Sequence, residues 1–161
     1  MSVVNGLPAH ILLVHLIVVL VPLTALLAVL SAVWPAARRR FAWLVLALAA
    51  LVAVMTPVTT EAGEWLERRV SRTADLHNHT RLGDTFIFFA IPLLIAAAAL
   101  AFVHFRETRD RTPSRVVVAA VAVLTIATSA AATVQVYRIG ESGAQSSWNG
   151  VAARAPLPRG E

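Results

Sequence analysis

Five histidines carry most of the chemistry this sequence offers, and four of them fall in two pairs. His10 and His15 open a long apolar run, and His77 and His79 stand in a polar stretch that precedes another. A neutral imidazole is a metal or haem ligand and a proton carrier near neutral pH. At about 100° per residue, His10 and His15 point about 140° apart on a helix, so they share a ligand only if the first turn is unwound. Pro8 stands where such unwinding would begin. His77 and His79, two apart, take opposite sides of a helix and the same side of an extended segment. One member of each pair is therefore expected to face inward. Two imidazoles from different elements suit axial ligation of haem b, whereas three or four nitrogens suit copper or zinc. The candidate haem residues are His15, His79, His10 and His77; the candidate set for a metal ion is His10, His15, His77, His79 and Glu61.

Each candidate has a plainer reading. His15 lies one and a half turns inside an apolar run, where a polar group needs a partner, and it is expected to matter most. His10, at the boundary, serves equally as a headgroup anchor. Glu61 and Glu64 share a helical face, but Glu64 and Arg68 are four apart and form a solvated ion pair more readily than a site. Tyr137 and Arg138 read as interfacial residues, and so does His104. The spans hold no Glu-x-x-His pair, zincin motif, Gly-x-Ser-x-Gly elbow or phosphate loop, so a binding or electron-transfer module is expected rather than a catalyst.

The elements that must position these residues are membrane spans. Of 161 residues 58% are hydrophobic and 14% charged, against about 25% charged in a soluble domain. Four uncharged runs, about 11–33, 41–60, 86–105 and 116–137, each approach the ~20 residues that cross ~30 Å of hydrocarbon. The expected fold is an all-α integral membrane protein, a four-transmembrane-helix bundle with short loops, over residues 1–140. Residues 141–161, rich in Gly, Ser, Pro and Ala, are expected to form a mobile C-terminal tail. No basic residue precedes the first run and it is too long for a cleavable signal, so it reads as a permanent helix. Pro22, Pro57 and Pro92 lie within spans, where neighbouring helices tolerate them.

The net charge of +5 comes from arginine alone, because the chain has no lysine. The arginines flank apolar runs instead of forming a basic face, which argues against nucleic acid as a partner. Arg38 to Arg40 and the four arginines of 106–115 outweigh the middle loop, whose four are mixed with five acids. The positive-inside rule then places both termini, and with them four of the five histidines, on the extracytoplasmic side of a bacterial plasma (inner) membrane. The absence of cysteine excludes thiolate metal sites, disulfides and covalently attached haem.

The opening Leu7-Pro8-Ala9-His10-Ile11-Leu12-Leu13-Val14-His15 resembles the Leu-Pro-Leu-His-Pro-Leu-Leu-Val-His start of the bacterial membrane family called domain of unknown function 2231. Val136-Tyr137-Arg138-Ile139-Gly140 is similar to that family's Val-Tyr-x-His-Gly ending, and the resemblance covers about residues 5–140. Ile11 and Ile17 replace prolines of the usual opening, and Ile139 stands where the family often has a third histidine, which His77 or His79 would replace. The family's association with Rieske-type and c-type cytochrome modules implies electron transfer and respiratory or redox membrane proteins as partners, on analogy alone. Two classes of function thus stand side by side: a redox module with haem b or copper at the outer face, between the first and third spans, and a structural or assembly subunit whose histidines are interfacial, in either case with the lipid bilayer and a homo-oligomer as further partners. Transport ranks last, because the inner half of each span is nearly all aliphatic.

Overall fold

A computed structural model describes residues 3–4, 6–111 and 113–153. The chain begins with a two-rung antiparallel hairpin, β1 (Val3–Val4) with β2 (Leu7–Pro8), turned through Gly6 at φ +80°. Helix α1 (Ala9–Val33) follows directly, its N-cap being Pro8 in extended conformation. Trp34 is the only residue between α1 and α2 (Pro35–Glu67). A residue before proline is driven out of the helical region, and Trp34 accordingly sits at φ −122°, ψ 109° while Pro35 starts the next helix.

Four helical segments among the described residues are long and apolar enough to cross a membrane: α1, α2, α4 (Ile87–Thr108) and α5 (Arg115–Trp148). The expected four-helix transmembrane fold is what the chain forms. Around the bundle α1 packs on α2 and α5, and α4 on the same two, so α1 and α4 face each other across the diagonal. The first and third spans are thus opposite rather than adjacent.

At 33 and 34 residues, α2 and α5 exceed the span that lipid requires. Their extra turns project at the end that carries the histidines. There they cradle α3 (Ala74–Asp84), a helix within the polar stretch expected to be the middle loop. Thr73 caps α3 by accepting from the Leu76 N–H at 3.2 Å. Gln135 donates to the Leu82 carbonyl and to Thr85 Oγ1, pinning the bend between α3 and α4 onto α5. Asn149 ties the far end of α5 back to Asp75 at 2.9 Å. Residues 141–148, assigned above to the tail, are therefore the last two turns of α5, and residues 154–161 lie outside the described part.

The core divides along the membrane normal. Nearer the histidines it contains Leu20, Val52, Phe86, Leu93 and Val136. Toward the other end it is built of Ala28, Ala32, Ala49, Ala97, Val45 and Leu100. Small side chains let helices approach where lipid removes any hydrophobic drive to associate. Large apolar residues such as Val19, Leu26, Phe88, Ile95 and Phe102 point outward, as a lipid solvent demands. Buried threonine hydroxyls bond back to their own helix: Thr24 to Leu20 O at 2.7 Å, Thr56 to Val52 O at 2.8 Å.

Candidate functional site

His10 and His79 meet at the cap above the bundle. Their ring centres are 6.2 Å apart and their planes stand at 77°. His10 enters from the first turn of α1, directly after the hairpin; His79 enters from the middle of α3. The diagonal helices are bridged because α3 reaches across beyond the apolar run of the third span.

The two imidazoles are held in the same way. His10 Nδ1 lies 3.0 Å from the Thr59 carbonyl, and Gly63, one turn further along α2, packs against the ring. His79 Nδ1 lies 3.1 Å from the Ile139 carbonyl, and Gly143, one turn further along α5, packs against that ring. In both places a Cβ on the glycine would come within 3.0 Å of a ring atom. A carbonyl at one position and a glycine four residues later thus form a socket, used once on α2 and once on α5. A carbonyl only accepts, so Nδ1 of each ring must carry the proton and donate it. Ser142 Oγ, 3.1 Å from His79 Nδ1, donates in turn to Ile139 O at 2.9 Å. In the neutral form of either ring Nε2 is then the unprotonated nitrogen. Burial first, and second the repulsion that two protonated imidazoles would exert on each other across the pair with His10, hold the His79 imidazole below its ordinary pKa, against the opposing bond to Ile139.

The other candidates are not assembled with this pair. His15 is exposed on the lipid-facing side of α1 and folds its Nδ1 onto the Ile11 carbonyl at 2.6 Å, one turn back in its own helix. Its partner is local, so depth in the bilayer does not draw it inward. His77 is exposed on the other side of α3, beside Glu67 and Arg72. Glu61 is exposed as well, and Glu64 forms the expected pair with Arg68 at 3.8 Å. Among the described residues no three His, Asp or Glu side chains converge as a metal set would require, so the five candidates for copper or zinc are not brought together.

The opposite end holds a second polar cluster. Arg38, in sequence one of the orienting charges, is 4% exposed. Its Nε and Nη2 grip the two Glu107 oxygens at 3.1 and 2.7 Å. Its Nη1 donates to the carbonyls of Ser31 and Ala32, which the end of α1 leaves without helical partners. His104, expected at the interface, is 8% exposed and packs edge-on to Trp43 at 6.5 Å. The one available clue was Glu107, an acid among arginines in a short loop.

A family model described as "Predicted membrane protein (DUF2231)" matches residues 6–155, and the chain belongs to that family. No curated protein and no solved structure matches it.

Proposed function

We propose, taking membership of that membrane family as the premise, that this protein is a small redox binding module in which His10 and His79 would hold a haem b. One observation carries the reading: two imidazoles from different helices lie 6.2 Å apart while a main-chain carbonyl engages each Nδ1. That second bond fixes the tautomer and leaves Nε2 in the form that binds iron. Ring centres 6.2 Å apart leave room for one ion held by both imidazoles. With two protein nitrogens in reach among the described residues, a macrocycle bringing four donors of its own fits better than bare copper or zinc. Bound there, haem would supply one-electron chemistry. The chain's contribution is to orient both rings through Thr59 and Ile139 and, by burial, to keep His79 neutral.

The arginine bias of the two loops at the other end supports an orientation in which the histidine cap is extracytoplasmic in a bacterial inner membrane. Redox membrane proteins on that side are the proposed partners. The experiment is an absorbance spectrum of the purified protein, before and after incubation with haemin. A Soret band that shifts on dithionite reduction, and is absent from His10→Ala and from His79→Ala, is the expected result. No band under either condition sinks the haem reading.

The same bonds favour one other reading, in which the pair is structural: His10 ties α1 to α2, and His79 ties α3 to α5. A protein that binds no haem yet loses thermal stability in both variants would belong to that class.

A further inference from the structure

An open groove of about 460 Å³ runs between α1 and α5 on the lipid-facing side, at the level of the upper core. Val18 and Pro22 form one wall; Tyr137, Gly140 and Glu141 form the other. Its floor is apolar apart from Thr133, whose hydroxyl donates to Ser129 O, and Tyr137 and Glu141 sit toward the histidine end. Pro22 stands four positions after Val18 in α1, and proline has no N–H to give, so the Val18 carbonyl lacks its helical donor. One turn above Val18 on the same face, beyond the residues that line the groove, stands His15, whose Nδ1–H is engaged by Ile11 O, which leaves Nε2 of the neutral ring as an acceptor. Glu141 is exposed on the facing helix and forms no ion pair among the described residues. Carbonyl, imidazole nitrogen and carboxylate are all acceptors.

We propose that this groove binds a membrane-dissolved hydroquinone, its phenolic hydroxyls donating to His15 Nε2 and Glu141 and its alkyl tail lying along the groove past Pro22. The chemistry selects this occupant. Acceptors facing a lipid phase require a ligand that brings donors, and a flat ring fits a cleft opened by a proline on one wall and by Gly140 on the other. A Cβ at Gly140 would meet nothing within 4 Å, so the cleft is open where the ring would enter. A phosphodiester headgroup, which brings only acceptors and a negative charge, is repelled by Glu141. The volume lies within the range of about 300–1,000 Å³ usual for small-ligand sites. The proposal explains why a histidine at lipid depth turns away from the His10–His79 pair, and it stands whatever that pair holds.

The test is calorimetric titration, under anaerobic conditions, of the full chain in phosphatidylcholine nanodiscs with a decyl-substituted benzohydroquinone. Saturable binding of one molecule per chain is expected. The dimethyl ether of the same compound, which has the ring and tail but no donor, should bind the unaltered protein at least about tenfold more weakly. His15→Leu and Glu141→Gln should each weaken binding about tenfold, and Val18→Trp, which fills the cleft from an exposed position, should remove it. Equal affinity for the ether, or an isotherm unchanged by Val18→Trp, overturns the proposal. Displacement of the hydroquinone when phosphatidylethanolamine replaces phosphatidylcholine also overturns it, because the groove would then be an ammonium headgroup site.

Discussion

At the arginine end of the bundle every nitrogen of the Arg38 guanidinium is answered, by two carboxylate oxygens and two main-chain carbonyls. At the histidine end each imidazole is answered at one nitrogen only. Both ends join helices that the short loops alone would not fix. The Arg38 guanidinium is closed, with its charge neutralised where it is buried, although Ser31 Oγ, His104 Nδ1 and Arg106 Nε nearby have no partner; the histidine pair keeps two lone pairs in reserve, and a membrane protein holds polar capacity of that kind for a ligand. A saturated cluster reads as architecture and a half-saturated one as a site.

The comparison can be broken most forcefully at Arg38. Removing one partner of a buried ion pair leaves the other uncompensated, at a cost of about 3–5 kcal/mol, whereas replacing both with apolar groups is often neutral. Arg38→Met and Glu107→Leu alone should lower the thermal midpoint sharply, and together they should recover most of it. Single variants as stable as the parent would show that this end is no lock.

At the sockets, Gly63→Ala and Gly143→Ala should each destabilise by roughly 1–3 kcal/mol, the usual range for overpacking. Gly83→Ala, which meets nothing within 4 Å in helix α3, should instead stabilise by about 0.5–1 kcal/mol. Equal effects at all three glycines would mean that the rings are not held as described.

Acid should weaken the histidine end alone. The folded state holds the His79 pKa below its unfolded value of about 6.5, so its contribution is present above that pH and fades as pH falls toward the folded value. Thermal midpoints from pH 8 down to 5 should fall more for the parent than for His79→Gln, and parallel profiles would remove His79 as the cause.

The smallest effect is expected beside the arginine end. Asp110 sits at φ 55° in a Schellman ending of α4, where the Arg111 N–H reaches Arg106 O at 3.1 Å and the Asp110 N–H reaches Glu107 O. Asp110→Gly relieves the left-handed strain and should raise stability by about 0.5–1 kcal/mol, provided the Arg38–Glu107 clamp is intact. Chemical denaturation of the variant against the parent measures it.

Composition and the lengths of the apolar runs determined that the chain is a four-span helical membrane protein, because lipid admits few solutions and each leaves a long uninterrupted mark. The opening motif identified the family, and the helical period already implied that one histidine of each pair would turn inward. Which one it would be was decided only by tertiary structure. His15 looked compelling by depth, yet a carbonyl one turn back satisfies it on the lipid face. His10 and His79 were chosen by sockets on α2 and α5, each made of a carbonyl and a glycine four residues on, distant in sequence from the histidine they hold. Arg38 was legible as a charge but not as a clamp, since its partner lies 69 residues away on another helix. Periodicity and solvent preference are local and survive in one dimension; the pairing of groups across helices depends on which helices pack together, and that is a property of the folded bundle.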